Sequence, residues 1–312
     1  MIINVPGAED YSRTGLDLLN VSWRQADSLY ASLLLFDHDL AGKESAEEKA
    51  ERHRQYWDAA DRQIANAIVL AQQAIEFLLK GKIAAVSPYL LIANDPKEWP
   101  KADGNNRIEF SQFRTIDAVQ LTKVCNSVAE HTLPEEFQNH YDELRGLRNR
   151  IMHSVGSASI QGPDLYRTIL KSFKYLEPGK SWFEERRIHL ESDEHAVLYS
   201  SDDAYYLLIK ETLRVIGSLS AGECSDLLGF DKRKRRYLCP NCEAELSGFE
   251  DRGAYLCQFA GDSPGQTSVT CYLCGSHFDV ERTPCSNRDC KGDVIWTEDQ
   301  SCLTCGAQKE ES

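Results

Sequence analysis

The chain has 312 residues, 42% hydrophobic and 27% charged, with a net charge of −14. That length suits two domains with real cores, and the composition excludes collagen-like and wholly disordered chains. The acidic balance argues against a protein that coats nucleic acid nonspecifically. No run approaches the ~20 consecutive apolar residues of a membrane helix, and Met1 to Asp10 lacks a basic segment followed by an apolar one. The expectation is a cytoplasmic protein with no membrane partner.

Leu16, Leu19, Trp23, Ala26, Tyr30 and Leu33 recur at spacings of three and four, which predicts a first helix with one buried face. A second, longer helix is predicted after Gly42, burying Ile64, Ile68, Ala71, Ile75, Leu78 and Leu79 and stopping before Pro88. Residues 88–114 hold Pro, Gly, Asn and Asp clusters and read as a long connection, a kind that is often functional or mobile. Leu121, Val124, Cys125 and Val128 mark a third helix. A fourth opens at Pro134 with Glu135 and Glu136 in its first turn, and its apolar stripe is Phe137, Tyr141, Leu144, Ile151 and Val155. Gly162-Pro163-Asp164 introduces a fifth, with Leu165, Ile169 and Phe173 inward. After an irregular stretch over 177–202, Asp202 and Asp203 lead a last helix carrying Tyr205, Ile209, Ile216 and Leu219. Residues 1–230 therefore read as an all-α bundle, with no glycine-rich phosphate loop and no Gly-x-Ser-x-Gly.

Charge and cysteine mark the rest of the organisation. Residues 1–230 carry 35 acidic and 25 basic side chains; residues 237–312 carry 13 and 5. Between them stands Lys232-Arg233-Lys234-Arg235-Arg236, read as a basic linker over 231–238. Of 11 cysteines, ten fall between Cys224 and Cys305. Cys239-x2-Cys242 with Cys271-x2-Cys274, and Cys285-x4-Cys290 with Cys302-x2-Cys305, predict two four-thiolate sites in a double zinc ribbon, 239–275 and 285–306. Gly275 and Gly306 follow their pairs and suit tight turns, while Ala254–Leu256 and Ser268–Thr270 suit ribbon strands. A disulfide module is the alternative, disfavoured without a secretory context. Cys125, Cys224, Cys257 and His277 are assigned to no metal.

Two structural zinc ions filling all four cysteine pairs leave no open coordination position, which disfavours a zinc hydrolase. Four thiolates on each zinc add about −2, so the ribbons would carry about −12 and repel phosphate. A docking or structural role is expected for them. The run 232–236 either touches nucleic acid or pairs with the acidic ribbons in cis; both readings stay open.

The densest chemistry in the helical part is Arg148-Asn149-Arg150-Ile151-Met152-His153. Asn149 and His153, four apart, share one helix face, and the long arm of Arg148 reaches the same patch. An imidazole can exchange a proton with a ribose 2′-hydroxyl or its leaving oxygen, and a guanidinium can stabilise charge on phosphate. Residues 144–180 hold seven cations (Arg145, Arg148, Arg150, Arg167, Lys171, Lys174 and Lys180) against Asp164 and Glu177. Arg145, Arg150, Arg167, Lys171 and Lys174 are thus candidate RNA contacts. A solvated basic helix face with a packing histidine is the plainer alternative.

The Arg148-Asn149-x3-His153 motif late in a bundle resembles the HEPN superfamily (higher eukaryotes and prokaryotes nucleotide-binding). Ala71-Gln72-Gln73-Ala74-Ile75-Glu76-Phe77-Leu78-Leu79-Lys80-Gly81 is similar to the second helix of many members, and the resemblance spans roughly residues 10–220. It implies a HEPN-like bundle and a metal-independent endoribonuclease of toxin–antitoxin, phage-defence (antiviral) or CRISPR-associated systems. It also implies a homodimer whose motif helices meet in a composite cleft, with Arg148 and His153 catalytic and Asn149 orienting them. Members silenced by a partner nucleotidyltransferase carry Tyr two residues after the motif His, where this chain has Val155. Other members are non-catalytic scaffolds or ligand-binding modules. In that alternative the ribbons dock a regulatory or defence-system protein.

Overall fold

The computed structural model describes residues 1–153, 160–192, 201–246, 253–261 and 265–308. Val155 and Ser154 lie outside them. The chain divides into two compact units, Met1–Lys180 and Ser181–Ser312.

The first unit is helical. Helices α1 (Ala8–Asp39) and α2 (Ala46–Val86) pack along one another as a long hairpin, the turn passing through Gly42 at φ +73°. Ser45 caps α2: its Oγ accepts from Glu48 N at 3.2 Å, and Glu48 Oε2 accepts from Ser45 N at 2.8 Å. Beside the turn, the Asp37 carboxylate meets Lys49 at 3.0 Å and Arg52 and His53 at 2.9 Å. Partial burial opposes ionisation there, but hydrogen bonds from His53, Lys49 and Arg52 outweigh it and hold Asp37 at about 2.

Shorter helices complete the bundle. These are α3 (Ala118–Val128), α4 (Glu135–His153) and α5 (Gly162–Leu176), all packed on α2, with α5 also against α1. The expected faces are the buried ones: Leu19, Trp23, Ile64, Ile68, Ile75, Leu78, Leu121, Phe137, Tyr141, Leu165 and Ile169. Trp23 stacks within 4.6 Å of the Tyr166 ring, whose hydroxyl donates to buried Asp27 Oδ1 at 2.7 Å. A bare polar atom would be costly in that core, and this bond satisfies two at once.

The 88–114 connection is tied down rather than loose. Leu91, Phe110 and Phe113 are buried, and β2 (Ile108–Glu109) pairs in parallel with β1 (Ile2–Ile3). Asn4 Nδ2 donates to Glu109 Oε2 at 2.9 Å.

The second unit corrects the boundary placed at 231–238. Helices α6 (Trp182–Ser192) and α7 (Ser201–Ser218) belong with the cysteine-rich region. Phe183 and Phe230 both meet the Tyr272 ring edge-on, at 6.2 and 5.1 Å. α7 packs on α8 (Pro240–Glu245). The charge change at 231 is a change of surface, not the end of a core. Part of the expected irregular stretch is α6 itself, whose Arg186 makes a buried two-pronged pair with Glu211 of α7 at 3.0 and 2.7 Å.

The expected linker ends as a strand. β3 (Tyr237–Leu238), β4 (Tyr255–Phe259), β5 (Ser268–Cys271), β6 (His277–Arg282) and β7 (Val294–Trp296) form one antiparallel sheet in sequence order. Register places Cys257 opposite Cys271, Val269 opposite Phe278 and Val280 opposite Trp296. The chain is thus mainly helical, with a small C-terminal antiparallel sheet carrying the clustered cysteines.

Candidate functional site

Two groups of four thiols converge at the sheet, the pairs the spacing predicts. Cys239, Cys242, Cys271 and Cys274 form one and Cys285, Cys290, Cys302 and Cys305 the other, with all four sulfurs of each within 4.8 Å of one another. A tetrahedral ion with bonds of about 2.3 Å needs sulfurs about 3.8 Å apart. Observed separations are 3.6 Å (Cys239–Cys274), 3.8 Å (Cys242–Cys271), 3.7 Å (Cys285–Cys305) and 4.0 Å (Cys290–Cys302). Both donor sets fit two structural metal sites.

Local geometry explains how the sequence builds them. Pro240 starts α8 and turns Cys242 back on Cys239, whose Sγ accepts from Cys242 N at 3.4 Å. Gly306, at φ +77°, closes the second knuckle by donating to Cys302 O at 2.7 Å. Gly292 donates to Cys290 Sγ at 3.3 Å, and a Cβ there would sit 2.6 Å from Thr304 and 2.9 Å from Cys302 Sγ. The first group is mostly buried, whereas Cys305 of the second is exposed.

Residues beyond the eight thiols tune the first group. Cys257, buried and paired across the sheet with Cys271, lies outside the four. The Tyr205 hydroxyl of α7 lies 3.6 Å from Cys242 Sγ, a hydrogen bond that spacing in the sequence gives no means of finding. His277 is engaged through Nδ1 with Thr270 Oγ1 at 2.8 Å, and Cys125 and Cys224 are buried.

The motif at the end of α4 forms an exposed edge. Asn149 and His153 are exposed one turn apart, and Arg148 Nη1 donates to Asn149 Oδ1 at 3.1 Å. The Arg148 Nε is shielded from solvent with no hydrogen-bond partner among the described residues. Ile151 is half-buried beneath them. Arg148 and Asn149 are thus joined by a hydrogen bond, and His153 follows one turn beyond Asn149 on the same helix face.

The basic stripe is less free than its window count implies. Arg145 pairs with Asp142 at 2.5 Å, Arg167 with Asp164 at 3.1 Å and Lys171 with Glu136 at 3.2 Å. Glu136 also accepts from the Tyr175 hydroxyl at 2.6 Å. Lys174 lies 5.7 Å from the Tyr175 ring centre, and Arg150 is exposed. Glu136 and Asp142 sit just before residue 144, outside the stretch whose charge looked so basic.

A second histidine on α4 serves packing. His140 Nε2 lies 2.9 Å from Ser172 Oγ, and that hydroxyl donates to Thr168 O at 2.7 Å. Burial, with Lys171 adding to it, pushes His140 below its ordinary value, so it is a neutral helix–helix contact rather than an activating base. It stands 13 residues from His153, about 20 Å along the helix.

No family model, no curated protein and no solved structure matches the chain. No described helix is long and apolar enough to cross a membrane. On its own geometry the chain is a helical protein with a small sheet carrying two four-cysteine groups able to hold metal.

Proposed function

We propose that the protein is a metal-independent endoribonuclease of the HEPN type, working in a toxin–antitoxin or phage-defence setting, with two structural zinc ions held by the eight clustered cysteines. The observation that carries this reading is the α4 edge, where Arg148 is bonded to Asn149 and His153 stands exposed one turn further along. In the reaction a ribose 2′-oxygen attacks the adjacent phosphorus and the bond to the 5′-oxygen breaks. The products are a 2′,3′-cyclic phosphate and a 5′-hydroxyl. Imidazole is the side chain that changes protonation nearest neutral pH, so His153 takes the 2′-hydroxyl proton or supplies one to the leaving oxygen. Arg148 stabilises the additional negative charge on the phosphoryl oxygens, and Asn149, bonded to it, fixes its direction. Two chains pairing through their α4 edges would put two such sets around one RNA strand.

The cis pairing of Arg145, Arg167 and Lys171 favours a second reading, a non-catalytic bundle whose sheet docks a regulatory or defence-system protein. The two separate on cleavage of total cellular RNA by wild type and His153→Ala side by side. His153 is exposed, so circular dichroism should be unchanged by the substitution. Loss of cleavage by about 10²-fold or more is expected for removal of a general acid or base. Equal cleavage by both proteins would overturn the assignment.

A further inference from the structure

The basic run does not disappear into the acidic sheet region. Lys232, Lys234, Arg235 and Arg236 line one open recess of about 400 Å³, together with Leu213 and the exposed ring of Tyr255. Two carboxylates stand beside it, and Lys234 Nζ donates to Ala260 O at 3.4 Å. Asp231 Oδ1 accepts from the backbone of Arg233 at 3.0 Å, and Asp293 is held by Arg282 at 2.9 and 2.5 Å, leaving Arg235 at 4.0 Å. Lys232 fixes the run in place: its ammonium donates to the carbonyls of Gly217 and Leu219, at 3.1 and 2.6 Å, at the end of α7. Arg236 has no hydrogen bond or ion pair among the described residues. Four like charges around one recess repel each other, and an anion entering it relieves that repulsion.

The shape narrows the choice of anion. Lys234 also lines a neighbouring recess of about 350 Å³ walled by Phe230, Gln258 and Phe259. The two recesses share one cation, Lys234, and the rings of Tyr255 in the first and Phe259 in the second suit an extended chain of alternating phosphates and flat rings. An acidic peptide would use the cations but has no need of the rings. Guanidinium groups grip phosphate, and stacking on a tyrosine ring tolerates any base.

We propose that this face of the second unit binds a single-stranded nucleic acid, with phosphates on Lys234, Arg235 and Arg236 and a base on Tyr255. The site does not rest on the α4 reading, and either can fail while the other stands. The test uses the full chain and a fluorescent DNA oligonucleotide of about 12 nucleotides. Lacking 2′-hydroxyls, the probe survives any chemistry at α4. Anisotropy titrations run between about 50 and about 200 mM salt. Lys234→Gln/Arg235→Gln/Arg236→Gln should weaken binding by about 30-fold at the lower salt and reduce the log–log salt slope by about 2. Arg236→Gln alone, which breaks no hydrogen bond or ion pair among the described residues, should reduce that slope by about 0.7. Tyr255→Ala should weaken binding about 5-fold or more. Wild-type affinity and slope in the triple variant would overturn the proposal. So would polyglutamate competing as well as unlabelled DNA, with Tyr255→Ala indistinguishable from wild type; that result would assign the face to an acidic protein.

Discussion

The two units reach stability by different means. Met1–Lys180 buries continuous apolar faces of long helices, with Trp23, Ile64, Ile68, Ile75 and Leu78 at or near zero exposure. The sheet of Ser181–Ser312 has strands of two to six residues, joined by loops that carry two four-thiol groups. Strands this short bury little area each, so metal held by the two thiol groups would add cross-links to that small core. The lesson concerns where chemistry can be placed. A bundle built on apolar faces can leave a helix end such as the α4 edge open, while thiols gathered in fours suit a structural role.

Metal removal probes that contrast most severely. Structural zinc sites of this kind contribute on the order of 10 kcal/mol. Stripping the metal, or Cys242→Ser, should unfold β3–β7 while leaving the helical signal of the first unit, measured by circular dichroism alongside metal content by mass spectrometry. Two equivalents per chain are expected in wild type, and the less buried group of Cys285, Cys290, Cys302 and Cys305 should release its ion first. Melting of the whole chain in one step with the metal would break the comparison.

A core substitution probes it from the other side. Trp23→Ala removes a fully buried ring from against Tyr166 and should cost the first unit about 3–5 kcal/mol in denaturant unfolding. Metal content should not change. The smallest effect belongs to the α1–α2 turn. Asp37 is depressed in the folded chain, so its contribution is present above its unfolded value near 4 and is lost as pH falls towards about 2. Asp37→Asn should therefore destabilise by about 1–2 kcal/mol at neutral pH, discounted for screening, and the gap from wild type should close in strong acid. A gap independent of pH would mean that packing, not charge, holds that turn.

Much of this was legible in the sequence where a single rule governs the outcome. Spacings of three and four located α1, α2, α4 and α5, because each buries one apolar stripe. Cysteine spacing located both thiol groups, since tetrahedral geometry restricts the loops. What escaped depends on partners distant in the chain. The inward side of α6 includes Arg186, whose partner Glu211 lies 25 residues on, so its buried face does not read as apolar. The short β1–β2 pairing joins segments more than 100 residues apart. The unit boundary followed aromatic contacts around Tyr272, whereas the sequence signalled a change in surface charge. The α4 motif residues lay on an exposed helix edge, as periodicity requires, but the neutralising partners of Arg145 and Lys171 were visible only in three dimensions.

The central claim is that the α4 edge cuts RNA through its own side chains while metal serves only the second unit. Analysis of the RNA ends left by wild type, with and without EDTA and beside His153→Ala, tests it most directly. The account predicts 2′,3′-cyclic phosphate and 5′-hydroxyl termini, undiminished by EDTA at levels that leave the thiolate-bound metal in place, and absent with His153→Ala. Termini bearing 3′-hydroxyl and 5′-phosphate, formed only with added divalent metal and persisting in His153→Ala, would contradict it.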